Sequence, residues 1–397
     1  MTASTPRAYL DHAATTALRP EAREAYLEAA SVLGNPTSVH AAGRRARAVL
    51  DDAIESIASD LGVPRSWLIL TSGGTEADNL AVRGAALSAR TADPSRRAVL
   101  ACATDHPATL ATARALQADG FEARIAPVDR AGRLLPDALA ELLADGAVGL
   151  ATAALLNNET GAVQDVAAFS ARARAHGTLV HTDAVQAVGH TPLPARGEVD
   201  LMTITGHKIG APVGVGALVA DPDVPLAPGT SGGGQQRGVR SGTLDAPHAA
   251  ALAAALHRTL AEAETESARL RSLAARLRAG IAAIDPSARF TLAEDAPQGG
   301  HIVHVAFPGA DGQSLLFLLD ERGAEVSAGS ACSAGVTSIS HVLEAMGMPE
   351  DEARGSVRFS LGWTSTEQDI DVALAALPEA LERARAVGAL ASGRRLR

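Results

Sequence analysis

The feature that most constrains this chain is an alternation. Apolar runs at 67–71, 98–103, 122–127, 148–155, 178–182, 201–204 and 215–219 have strand length, and most are separated by Ala/Leu/Arg-rich stretches of helical period at 75–90, 107–118, 135–143 and 166–176. Strands that alternate with helices make an α/β fold around a mainly parallel sheet. From about 244 to 283 the pattern becomes helical, without a proline after Pro247, which predicts long helices leaving the sheet and a domain boundary near residue 260. Beyond it the pattern predicts a strand at 301–307, a helix at 314–322, the small-residue stretch AGSACSAGVTS, further helix, a strand near 356–361 and a final helix.

With 397 residues and 47% hydrophobic content the chain can bury a large core, which excludes a disordered or fibrous protein. The net charge of −10 argues against an electrostatic grip on nucleic acid or anionic lipid and favours small-molecule ligands. The opening MTASTPRAYLDHAATT has no apolar core of signal-peptide length, and no stretch approaches the ~18 apolar residues of a membrane span, so a cytoplasmic protein is expected. Two cysteines, Cys102 and Cys332, without a C-x-x-C pair, rule out a disulfide framework and the usual structural zinc site.

Lysine usage is more informative. Of 35 basic residues only Lys208 is a lysine. A preference for Arg explains the general loss, since either residue serves as a solvated charge. It does not explain the exception. Arg stays protonated, whereas a desolvated Lys can become a neutral amine that forms a Schiff base with an aldehyde. Twenty-five residues earlier (208 − 183), VHTDAVQAVG ends an apolar strand on Asp183. A carboxylate there can cap a helix or hold a protonated pyridinium nitrogen. An Asp and a Lys at successive strand ends can meet the ring nitrogen and the aldehyde carbon of one pyridoxal phosphate. TSGGTEADN, at 71–79, runs from strand into helix through glycines and would supply free N–H groups to an anion, or simply turn the chain. It lacks the Gly-Lys-Ser/Thr ending of a nucleotide-binding loop, and GVGALV at 214–219 lacks the third glycine of a dinucleotide site.

These motifs, in order from LDHAATT at 10–16 to VRFSLG at 357–362, resemble the cysteine desulfurases of the IscS/NifS type within the class V aminotransferase family. The resemblance implies a pyridoxal-phosphate-dependent transferase of fold type I. Its large domain, 15–260, would hold a mainly parallel seven-stranded sheet, and 1–14 with 261–397 would form a smaller α+β domain carrying the catalytic cysteine loop. It further implies that His106 stacks on the ring, Asn158 and Gln186 contact the phenolic oxygen, Asp183 holds the ring nitrogen and Lys208 forms the Schiff base. Gly74, Thr75, Thr205 and His207 would hold the phosphate, with Thr243 reaching in from the second subunit of a homodimer, and Arg358 together with Asn158 would bind the substrate. Read singly, His106 could cap a helix, Asn158 serve a turn and Arg358 pair with a structural carboxylate.

Cys332 lies among Gly, Ser and Ala in SAGSACSAG, which resembles the family's persulfide loop, while Cys102 in AVLACATD reads as core. The implied reaction converts L-cysteine to L-alanine, with sulfur carried on Cys332 as a persulfide to an acceptor protein and His106 as a proton shuttle. The spacing to Arg358 (358 − 332 = 26) resembles the longer-loop subgroup. SGGGQQRG departs from the family pattern at Ser231 and Gln236, and the tail ARAVGALASGRRLR does not resemble the segment that docks an iron–sulfur scaffold. Iron–sulfur assembly, tRNA thiolation, DNA phosphorothioation and a biosynthetic pathway stay open as destinations. The rival readings are a selenocysteine lyase or another class V enzyme, and a catalytically idle sulfur-relay partner.

Overall fold

The structure, a computed structural model, describes residues 6–328 and 339–391. In chain order the strands are β1 (Ala8–Tyr9), β2 (Leu68–Thr71), β3 (Ala98–Cys102), β4 (Glu122–Ala126), β5 (Val148–Ala154), β6 (Leu179–Asp183), β7 (Leu201–Thr205), β8 (Gly216–Ala220), β9 (Arg289–Phe290), β10 (Ile302–Ala306), β11 (Ala324–Glu325) and β12 (Ser356–Ser360). The helices are α1 (Pro20–Ala30), α2 (Ala41–Asp60), α3 (Gly74–Ala92), α4 (Pro107–Ala115), α5 (Pro136–Leu143), α6 (Val166–Ala175), α7 (Ala246–Ile284), α8 (Gly312–Glu321), α9 (His341–Ala345), α10 (Glu350–Ala353) and α11 (Glu367–Ala391).

The seven apolar runs form one sheet in the order β2-β8-β7-β6-β5-β3-β4. All neighbours are parallel except β8, which is antiparallel to both β2 and β7. Helices cover both faces, so the central strands read as continuous apolar runs and not as alternation. The pleat still sorts them. Ile69, Val99, Ala101 and Leu150 pack with Leu80 and Ala81 of α3, whereas Leu70, Leu100, Cys102 and Val180 pack with Leu50 of α2 and Leu252 of α7. Cys102 is thus a core residue, as expected.

A separate three-stranded antiparallel sheet, β12-β10-β9, lies beside the parallel pair β1–β11. Leu273 and Leu277 of α7, Leu315 of α8 and Leu377 of α11 bury its apolar residues in a second core. Residue 260, near which a domain boundary is expected, lies inside α7. The N-terminal half of that helix packs on the large sheet's layer and its C-terminal half in the second core. Helices α1 and α2 had no counterpart among the expected elements.

Candidate active site

The C-terminal ends of β5, β6 and β7 and the N-terminus of α3 converge on one cavity of about 190 Å³, the place where ligands bind in an open α/β sheet. Its lining includes Gly74, Thr75, His106, Asn158, Asp183, Gln186, Thr205, His207 and Lys208. Each arrives by a short chemical route from its element. Asp183 ends β6, Thr205 ends β7, and His207 and Lys208 follow in the turn after β7. Gly74 opens α3, and its N–H donates to Thr205 Oγ1 at 3.2 Å. His106 is the N-cap of α4, with Nδ1 accepting from Ala108 N at 3.1 Å. The capping reading of His106 therefore holds alongside its position in the cavity.

Two glycines make the cradle. A Cβ on Gly74 would stand 2.9 Å from Val185 Cγ2. One on Gly216 of β8 would stand 2.8 Å from the backbone of Gly73, so β8 can pass beneath the α3 turn only without a side chain there.

The site is charged but poorly solvated. Asp183 accepts from Val185 N at 2.8 Å through Oδ1, and burial pushes its carboxyl up to about 6 despite that bond and nearby Lys208. Lys208 moves the other way. Burial, then the neighbouring Arg358 cation, lowers it to about 8, with Asp11 and Asp183 opposing. Its Nζ donates to the carbonyls of Ala13 and Ala14, the latter at 2.7 Å, which places LDHAATT directly on the lysine. Gln186 Nε2 also donates to the Ala13 carbonyl, at 2.7 Å. Burial and Lys208 lower both His106 and His207, the latter to about 4, so both rings are neutral near pH 7.

This donor set fits a pyridoxal phosphate. Asp183 offers a buried carboxylate whose only hydrogen bond among the described residues comes from one backbone N–H, suited to a protonated ring nitrogen. Lys208 offers an amine whose free form is within reach at neutral pH. The α3 N-terminus and the Thr75 and Thr205 hydroxyls offer donors to a phosphate.

Two expected residues are not in the cavity wall. Arg358, in β12, is 3% exposed and pairs with Asp11 at 2.6 Å and with the Asn158 carbonyl at 2.9 Å, so it does meet a structural carboxylate while bordering the site through Asn158. Thr243 is exposed and lines a different cavity with Val32, Gly34 and Pro36. Cys332 lies outside the described residues.

The sequence reading missed Asp78 and Asp105. Asp78 lines the cavity from within α3 and is buried beside Asp183, which raises its carboxyl further; an acid one turn after Gly74 on the sheet-facing side was the available signal. Asp105 accepts from the backbone N–H groups of Cys102, at 3.1 Å, and Ala154, at 2.7 Å, and so ties the end of β3 to that of β5.

Fold and site together define a pyridoxal-phosphate enzyme of fold type I. Residues 8–373 match the family Aminotransferase class-V. The chain is 42% identical over 389 residues to an IscS-like cysteine desulfurase of Mycobacterium tuberculosis, covering 97% of this chain and 99% of that one. It is 36% identical over 388 residues to the cysteine desulfurase NifS of Azotobacter vinelandii, covering 97% and 95%. A solved NifS-like protein superposes with a TM-score of 0.87 at 30% identity, covering 95% of this chain and all of that one. The chain belongs to the class V aminotransferase family, and within it to the cysteine desulfurases of the IscS/NifS type. Its substrate is L-cysteine and its chemistry is sulfur transfer.

Proposed function

We propose that Lys208 is the lysine that bonds the cofactor and that Cys332 takes sulfur from L-cysteine as a persulfide, leaving L-alanine. The observation that carries this reading is the meeting of the chain's one lysine with Asp183 in a single cavity. Bound pyridoxal phosphate supplies an electron sink that weakens bonds at the substrate's α-carbon. Asp183 holds the charge of its ring nitrogen. Gly74, Thr75, Thr205 and His207 hold the phosphate, with Thr243 arriving from the second subunit of a homodimer, and Gln186 and Asn158 orient the ring.

Arg358 grips the substrate carboxylate, for which a guanidinium offers paired donors. Lys208, as a neutral amine, takes the α-proton onto Nζ. His106, in the cavity wall, would stack on the ring. With Nδ1 accepting from Ala108 N, its proton sits on Nε2, which makes it a donor to the reacting atoms. The Cys332 thiolate attacks the substrate sulfur. One S–S bond forms, one C–S bond breaks, and the thiol's proton ends on the β-carbon of alanine. The persulfide passes to an acceptor protein. The two cores that share α7 support a large unit of 15–260 and a smaller one of 1–14 with 261–397. Among the described residues no helix is long and apolar enough to cross a membrane.

The test is conversion of L-cysteine to alanine and sulfide under a reductant. Lys208→Ala and Cys332→Ala are both expected to lose turnover, with the cofactor's visible band lost only in Lys208→Ala. Full activity in Cys332→Ala would overturn the persulfide route and favour a lyase.

A further inference from the structure

Behind Lys208 lies a second, smaller cavity of about 40 Å³, lined by His12, His190, His301, Glu266, Gln186 and Lys208 among others. Lys208, Gln186 and Val185 line this cavity and the cofactor cavity alike, so they form the partition between them. On its other side Gly189 and His190 are shared with a surface groove whose walls include the exposed Pro192, Ala195 and Glu264. The three spaces form a series from the cofactor cavity to the surface.

The middle space is polar in an unusual way. His12 Nε2, His190 Nδ1 and His301 Nε2 are buried, and none has a hydrogen-bond partner among the described residues. His190 and His301 stack with centroids 3.5 Å apart and planes 12° apart. His12 is fixed by Thr16 at Nδ1, at 2.7 Å, which leaves Nε2 as its unpartnered nitrogen. The charged Glu266 is engaged with Arg269 at 2.8 Å. A buried polar atom without a partner costs about 1–3 kcal/mol, so three around one small space call for a shared one. The space exceeds the ~10–15 Å³ that a single water needs. Burial holds His12 and His190 down at about 4 and His301 well below its ordinary value, so the rings are neutral near pH 7 and each has one donor and one acceptor nitrogen. Neutral imidazoles joined by water pass protons without storing charge.

We propose that this histidine-lined cavity is a water-filled proton relay, in which His12, His301 and His190 connect the amino group of Lys208 to solvent in the surface groove. A proton leaves the Lys208 ammonium for the first water while an equivalent proton leaves His190 for the groove, and the reverse passage restores it, so no other reagent is consumed. Lys208 exchanges protons from behind while its front is closed by cofactor and substrate. The inference rests on the reading of Lys208 as the base that takes the substrate's α-proton.

Two measurements test it. A high-resolution crystal structure of the holoenzyme should show ordered water bonded to His12 Nε2 and to His190 or His301; a dry cavity overturns the relay. In turnover of α-deuterated L-cysteine in ordinary water, deuterium should wash out of alanine through the relay. In His190→Phe and His301→Phe, which keep the stacked rings and remove their nitrogens, retention should climb from a low value toward about one third, because the deuteron is one of three ammonium hydrogens. Unchanged retention, in variants that keep the cofactor's visible band, overturns the relay whatever the waters show. If either variant fails to fold, the water structure of the unmodified enzyme still decides. Persistence of the band in Lys208→Ala would instead sink the underlying reading of the lysine.

Discussion

Lys208 could be singled out from the sequence because a bias toward Arg leaves one lysine exposed as an exception, and Asp183 because a carboxylate at the end of an apolar strand asks for a partner. Asp78 left only the faint mark of an acid one turn after Gly74, and the carbonyls of Ala13 and Ala14 left none. An acid in the opening turns of a helix resembles any solvated helix residue, and a backbone acceptor has no counterpart in residue identity. Burial and the neighbouring Arg358 cation set the lysine's behaviour, against the opposing pull of Asp11 and Asp183. An amine is neutral when deprotonated, so a pKa lowered from 10.5 to about 8 makes half of Lys208 free amine near pH 8, where an ordinary lysine would be almost wholly ammonium. Only the free amine condenses with an aldehyde. The rate at which apoenzyme regains its visible band on mixing with pyridoxal phosphate should therefore rise with pH and level off above about 8. A rate still climbing through pH 10 would show that the lysine is not desolvated. Cofactor already bound is irrelevant to this measurement, so it bears on the protein's own electrostatics.

At the scale of elements, all seven strands of the large sheet were legible because each is a short apolar run bounded by turn residues. Strand direction was not. Nothing in GALVA states that β8 runs against both neighbours, since direction is set by the path of the chain between strands. Helices α1 and α2 were not legible because their apolar residues are mostly alanines and they precede the alternation of strands and helices. The departure at Gln236 acquires a meaning only here. β2 is an edge strand, and Gln236 closes part of that edge: its Oε1 accepts from Leu70 N at 2.6 Å and its Nε2 donates to Leu70 O at 2.8 Å. An amide can do both, whereas a carboxylate can only accept. Gln236→Ala should lower the urea midpoint by an amount equivalent to about 1–3 kcal/mol, and Gln236→Glu should fall short of the unmodified protein for want of the donor. Equal midpoints for all three proteins would mean that the edge is held elsewhere.

At the scale of the whole molecule, the surroundings of Thr243 within its own chain carry no mark of the role that the resemblance implies for it. It is exposed and lines a cavity with Val32, Gly34 and Pro36, next to a stretch where Leu33 and Val39 are 83% and 88% exposed. Apolar side chains so exposed suit a surface covered by another copy. If Thr243 serves the partner's cofactor cavity, the two mutational defects must complement across subunits. Take one chain with Lys208→Ala and another with Thr243→Ala. Alone, the first binds no cofactor covalently, and the second loses one hydrogen bond to a phosphate, a loss of about 10- to 100-fold in affinity. In a mixed dimer, the cavity built on the second chain has its own Lys208 and receives Thr243 from the first, so it is complete, while the other cavity lacks both. Co-expressed, differently tagged chains purified as the mixed species should then regain tight cofactor binding and turnover at half the sites when cofactor is limiting. Were Thr243 to act within its own subunit, no cavity in the mixture would be whole, and affinity would stay at that of Thr243→Ala alone.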